Sequence, residues 1–199
     1  MNHPAHPPRN EIARRSGTLN GAVVGLMWVL EIIDVFLQGA LNWFGVHAWN
    51  FALLWTFVTA PFAHSGFAHL AANSVPLLVM GFLIALGGLR QWLMVTLAAV
   101  VGAGLFAFTL NAPGTVTIGA SGVVFGYLTY LIVRGWFSRA WRQLVLGALM
   151  LLVYGSVLWG VFPTTRGVSW QAHLGGAVAG VLIAWWLHGR EQRTMPAGQ

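Results

Sequence analysis

Six predominantly apolar stretches, at about residues 20–38, 67–87, 91–111, 119–136, 143–162 and 170–188, leave this chain few ways to fold. A hydrocarbon layer of about 30 Å needs about 20 apolar residues per helix. The stretches are predicted to be six transmembrane helices, spans 1 to 6, of an all-α membrane protein. Charged residues make up 7% of the chain and apolar ones 57%, whereas soluble domains carry about 25% charged residues. A water-facing surface cannot be assembled from that composition, which excludes a cytosolic globular protein and a disordered chain. Cysteine is absent, so disulfides, thiolate metal sites and cysteine nucleophiles are excluded too.

All ten basic residues are Arg. With the N-terminus inside, the inner segments hold Arg9, Arg14, Arg15, Arg90, Arg134, Arg139, Arg142, Arg190 and Arg193, and the outer loops hold only Arg166. That asymmetry follows the positive-inside rule. It places both termini in the cytoplasm and the protein in the cell membrane. The net charge of +6 thus reports orientation and not nucleic-acid binding. Residues 1–18, Pro-rich and without apolar pattern, are expected to form a disordered cytoplasmic tail. One membrane domain is expected over 19–189 and a second tail over 190–199. No A-x-A-like site follows the first apolar run, which reads as a retained anchor. The connection at about 39–62 carries Trp43, Phe44, Trp49, Phe51, Trp55 and Phe57, a composition suited to the outer interface.

Polar residues inside apolar spans mark candidate sites. They are Glu31 and Asp34 in span 1, His64, His69 and Asn73 at the start of span 2, Ser121 at the start of span 4, and His173 at the start of span 6. Spans 2, 4 and 6 run in the same direction, from outside to inside. His69, Asn73, Ser121 and His173 are therefore predicted to share one layer near the outer surface. His69 and Asn73 are spaced i,i+4 and share a helix face. Ser121, in Gly119-Ala120-Ser121-Gly122, sits at a predicted helix N-terminus, where unpaired N–H groups can hold a developing oxyanion. Gly122 and Gly126 on span 4, and Gly176 and Gly180 on span 6, form small-xxx-small pairs that let helices approach closely. Such an approach brings a serine and a histidine on separate helices within reach. Phe125, one turn below Ser121, is positioned to pack on the His173 ring.

The combination of His69-x-x-x-Asn73, Gly119-x-Ser121-Gly122 and Ala172-His173-x-x-Gly176-x-x-x-Gly180, in that order, resembles the rhomboid family of intramembrane serine proteases. The resemblance covers about 20–188. It implies a rhomboid-like six-helix bundle without cofactor or metal, with Ser121 as nucleophile and His173 as general base. It also implies an oxyanion hole from the Ser121 N–H, His69 and Asn73. His64 matches a histidine often found upstream in the family and is a supporting residue with Phe125, Gly119 and Gly122. The implied partners are a transmembrane-helix protein substrate and membrane lipid, and the implied site opens to the outer face. Two departures stand out: Phe125 replaces a frequent Tyr, and Trp49-Asn50 stands where the family often has Trp-Arg.

Taken singly, each residue has a plainer role. Ser121, His173, His69 and Asn73 can all serve as interhelical hydrogen-bonders, and the glycine pairs support proximity alone. With four acidic residues in the chain, a triad would have to recruit Glu31 or Asp34. A Ser–His dyad oriented by packing is the simpler expectation, with the two carboxyls structural. Two alternatives remain open: a non-catalytic protein that binds transmembrane helices, and a zinc hydrolase using His64, His69 and His173. Gly147, Gly155 and Gly160 make span 5 the expected bending element and lateral entry side.

Overall fold

The computed structural model describes residues 8–164 and 167–189. Its elements run in the order α1 (Arg9–Phe36), β1 (Val46–His47), α2 (Thr56–Thr59), α3 (Phe67–Ala85), α4 (Leu89–Leu110), β2 (Val116–Thr117), α5 (Ser121–Ser138), α6 (Trp141–Tyr154) and α7 (Trp170–His188). Short 3-10 turns fill the connection between α1 and α3, and a longer one, Gly155–Val161, continues α6.

Among the described residues, four helical segments are long and apolar enough to cross a membrane: Asn10–Phe36, Phe67–Ala85, Leu89–Leu110 and Trp141–Val161. The six spans expected from the sequence thus reduce to four on length and composition. α5 and α7, the expected spans 4 and 6, fall outside that set, and their surroundings explain why. α5 packs against α3, α4, α6 and α7, and every residue from Gly122 to Leu128 is buried. A helix enclosed by protein does not need lipid-facing side chains, so α5 accommodates Tyr127, Thr129, Tyr130 and Arg134. α7 gives its inward face to glycine.

Small residues from three helices meet at one junction. A Cβ on Gly176 would fall on the carbonyl oxygen of Gly122, and one on Gly180 on that of Gly126. α4 joins with Ala103 against Gly122, Ala99 against Gly126, and Gly102 against Gly175 and Ala179. The Thr129 hydroxyl donates across to the Ala177 carbonyl at 2.8 Å. Without a hydrophobic drive between helices in lipid, this close packing and interhelical bonding hold them together.

α1 begins at Arg9, about ten residues before the expected start. Glu11 lies in its first turn, where a carboxylate suits the helix dipole, and it pairs with Arg15 one turn on. Ser16 and Asn20 are buried. The Asn20 side chain donates to the Ser16 carbonyl (2.8 Å) and accepts from the Trp92 indole N–H (3.2 Å). Residues 9–18 are therefore helix and not an irregular tail: they continue α1, with the Glu11–Arg15 pair within the helix and Asn20, just beyond, tied to Trp92 of α4. Residues 1–7, with His3 and His6, lie outside the described residues, as do Arg166 and 190–199.

The aromatic connection is built as a collar over the bundle end. β1 pairs antiparallel with β2, Val46 opposite Thr117 and His47 opposite Val116, a small departure from an all-helical expectation. Trp49 donates its indole N–H to the Asn111 carbonyl at 3.1 Å, so the Trp49-Asn50 version of this loop has its own anchor. Phe57 lies against Gly104 and near Phe108. Trp43, Trp49, Phe51 and Trp55 remain exposed, as interfacial rings would. The collar also reaches the next helix: the Gly119 N–H donates to the Ala60 carbonyl at 2.9 Å.

Replacing Gly176 by Ala is expected to lower stability by about 1–3 kcal/mol through overpacking. Gly21→Ala, on an α1 face with nothing within 4 Å, is expected to be neutral or to stabilise by a few tenths of a kcal/mol through helix propensity. Thermal unfolding of both variants in detergent checks the contrast.

Candidate active site

Three chain segments converge at one end of the small-residue junction. Gly119 has φ +103°, a left-handed conformation that favours glycine, and it turns the chain so that α5 starts at Ser121. The first N–H groups of a helix have no intrahelical acceptor, so the Ser121 end of α5 presents donors. The Ser121 hydroxyl lies 2.8 Å from His173 Nε2 on α7. This contact follows from the packing: Ser121 precedes Gly122 and His173 stands one turn before Gly176, so the pair sits where the two backbones are closest.

The imidazole is held on two further sides. Its Nδ1 is 2.9 Å from the Gly160 carbonyl in the 3-10 segment after α6. A carbonyl only accepts, so Nδ1 carries the hydrogen and the Nε2 lone pair faces the Ser121 hydroxyl. Phe125 stacks on the ring at 4.2 Å and 9°, as its position one turn below Ser121 predicts. The absence of the hydroxyl that a Tyr would carry leaves this stacking intact. His173 is buried and Ser121 half-buried.

His69 and Asn73 come from α3. The His69 ring lies against Gly119, where a Cβ would sit 2.6–2.7 Å from Cε1 and Nε2. Its Nδ1 faces Ser65, 3.3 Å from the hydroxyl and 3.5 Å from the N–H. With Nδ1 accepting from that N–H, Nε2 is the donor directed at the chain leading into Ser121. The Asn73 amide donates one hydrogen to the His69 carbonyl at 3.1 Å, and its second N–H remains available. His64 is 1% exposed, its ring edge-on to His69 at 5.0 Å, and neither of its nitrogens makes a well-formed hydrogen bond. Burial, with His69 beside it, pushes the His64 pKa down from 6.5 to about 4.

The carboxyls of α1 are engaged elsewhere. Asp34 accepts from the Leu41 N–H at 2.7 Å, closing the turn after α1. Glu31 lies close to the Gly66 N–H at the start of α3. Both are buried, and Asp34 caps a main-chain donor, which accounts for a carboxyl that the sequence leaves without a partner. Nor do His64, His69 and His173 form a zinc cluster. Among the described residues no three His, Cys, Asp or Glu side chains converge on a metal-sized site; His173 is committed to Ser121 and Gly160.

Sequence reasoning missed Ser65 and Gly160. Ser65 was legible in principle, four residues before His69 on the same chain. Gly160 was not, because its contribution is a main-chain atom placed by a loop. Two of the three glycines expected to bend span 5 are instead sites of close approach. Gly147 lies against the Ile132 carbonyl, and Gly160 against Phe125 and His173.

Comparison with known proteins places these features in a family. A family model described as the rhomboid domain matches residues 52–190. An uncharacterised protein of Mycobacterium leprae (strain TN) is 37% identical over 203 residues, covering 95% of this chain and 80% of its own length. An uncharacterised protein of Mycobacterium tuberculosis (strain ATCC 25618 / H37Rv) is 38% identical over 185 residues, with 89% and 77% covered. Rhomboid-like protein 11, chloroplastic, of Arabidopsis thaliana is 30% identical over 188 residues, with 82% and 65% covered.

Asp34→Ala is expected to cost about 1–3 kcal/mol by leaving the Leu41 N–H unpaired while Ser121 keeps its reactivity, checked by thermal unfolding beside labelling with a serine-directed probe. A histidine kept neutral by the fold but free to protonate when unfolded costs stability as pH falls through 6.5 toward 4. The thermal midpoint of His64→Leu is therefore expected to fall less steeply than wild type across that interval.

Proposed function

This chain belongs to the rhomboid family, and from that premise we propose that it is an intramembrane serine endopeptidase acting on transmembrane segments of other membrane proteins. The observation that carries the reading is the 2.8 Å contact between Ser121 Oγ and His173 Nε2, with Nδ1 tied to a main-chain carbonyl. That arrangement has the tautomer a general base needs.

In this reading Ser121 Oγ attacks the scissile carbonyl carbon while His173 Nε2 takes the hydroxyl proton. The oxyanion formed is met by the Ser121 N–H, the His69 Nε2–H and the free N–H of Asn73, donors worth about 2.7–4 kcal/mol each in hydrolases of this kind. The imidazolium is stabilised by the Gly160 carbonyl on one side and the Phe125 face on the other. Collapse of the tetrahedral species breaks the C–N bond, and His173 returns the proton to the leaving amine. Water, activated by the same imidazole, then releases the acyl group from Ser121. No carboxylate is required.

The reading extends to the membrane. α5 and α7 complete a six-span bundle as protein-enclosed helices, with both termini cytoplasmic, the site opening to the outer face of the cell membrane, and the membrane domain beginning with α1. Support comes from the arginine distribution and from the exposed aromatic collar on the site's side. Entry of a substrate helix past α6 is supported by its low enclosure: among the described residues, Trp141–Val161 is the least buried of the four apolar segments.

Labelling of detergent-purified protein with a fluorophosphonate tests the chemistry without a known substrate. Ser121→Ala and His173→Ala are each expected to lose labelling by roughly 10³-fold or more with helix content unchanged by circular dichroism. A labelled Ser121→Ala protein overturns the reading; an unlabelled but folded wild type favours a helix-binding protein without catalysis.

A further inference from the structure

Among the three contacts that hold His173, only one comes from outside the α5–α7 pair. The Ser121 hydroxyl and the Phe125 ring both belong to α5, which four helices enclose. The Gly160 carbonyl belongs to the 3-10 segment Gly155–Val161, the end of the least enclosed apolar segment of the molecule. That segment rests on α7 and, through Val157 and Leu158, on the main core. Residue 160 has room for nothing larger than glycine. A Cβ there would lie 2.8 Å from Phe125 Cζ and 3.0 Å from His173 Nδ1, so carbonyl, imidazole and phenyl ring form one filled layer.

The carbonyl also decides which nitrogen bears the proton. Neutral imidazole exists in two tautomers, and the one with hydrogen on Nε2 cannot accept from the Ser121 hydroxyl. The described residues supply His173 with no carboxylate to bias the choice, and Phe125 stacks equally well on either form. Selection therefore falls to the 2.9 Å bond from Nδ1 to the Gly160 carbonyl.

We propose that Gly160 is the positioning residue of the dyad: its main-chain carbonyl selects the His173 tautomer, so that Ser121 is activated only while the Gly155–Val161 segment is seated on α7. This rests on the serine-protease reading. It makes the lateral face of the bundle part of the chemistry, because a displacement that lifts the segment away from α7 uncouples the base before it disturbs the nucleophile or the oxyanion donors. A site left open to water without bound substrate is thereby also a site with a disengaged base.

The test compares fluorophosphonate labelling rates across pH for wild type, Gly160→Ala and Leu158→Ala, with ¹⁵N ring shifts of His173 assigned by their loss in His173→Ala. Gly160→Ala intrudes on the carbonyl–imidazole contact, while Leu158→Ala removes a side chain packed on the main core, two residues from Gly160. Wild type is expected to show the Nδ1-protonated form. Both variants are expected to show tautomer mixing and an altered pH profile, with labelling slowed by about tenfold or more in Gly160→Ala; a wrong tautomer costs up to roughly 10⁴-fold where it has been isolated. If Gly160→Ala fails to fold, Leu158→Ala decides. Wild-type tautomer and pH profile in a folded variant, even with a lowered melting temperature, overturn the positioning role while leaving the protease reading intact. Labelling that survives Ser121→Ala overturns the protease reading itself.

Discussion

The close approach of α5 and α7, where a Cβ on Gly176 would sit well inside contact distance of the Gly122 carbonyl oxygen, fixes most of what matters in this molecule. Helices in lipid gain nothing from burying apolar surface against each other, so they associate through contact area and short polar contacts. Glycine permits both by letting main chains touch. Ser121 and His173 stand within one turn of that contact, on opposite helices. Their 2.8 Å separation is thus a consequence of the packing. Any side chain at residue 176 would have to push the axes apart, and a hydrogen bond does not survive a displacement of about an ångström.

A second constraint is the cost of charge at membrane depth. The protein has four acidic residues, and none of the three among the described residues bonds His173. Main-chain and hydroxyl groups do the orienting instead: the Gly160 carbonyl holds His173, and Ser65 holds His69. Of the two buried carboxyls of α1, Asp34 is used as a cap on Leu41 and Glu31 lies close to the Gly66 N–H. α1 packs on α3, with Glu31 facing the start of the helix, next to the stretch that carries His64, Ser65 and His69. These carboxyls thereby support the site without entering it.

The collar of aromatic residues has a comparable role. Its contact with the chain before α5, through the β1–β2 ribbon and the Ala60 carbonyl, holds the left-handed Gly119 turn against His69. The helix that starts at Ser121 therefore begins at a point set by a segment some sixty residues earlier. Local preference alone gives a glycine many conformations; here tertiary bonds choose one.

The sequence by itself determined the class of the molecule and the chemistry available to it. Apolar length and scarce charge demand a membrane bundle, and serine, histidine and asparagine stand near the starts of α5, α7 and α3. Helix spacing likewise set Phe125 one turn from Ser121. Tertiary structure decided what spacing cannot encode. The i,i+4 glycines Gly17, Gly21 and Gly25 on α1 have the same pattern as those on α5 and α7, yet nothing lies within 4 Å of their Cβ positions. A small-residue stripe states that a close contact is possible, not which helix makes it. The partner of the buried Asn20 on α1 is Trp92, a residue more than seventy positions away. Gly160 lay deepest from view, because its contribution is a carbonyl that every residue possesses. Only the path of the chain between α6 and α7 could aim it at a histidine thirteen residues away.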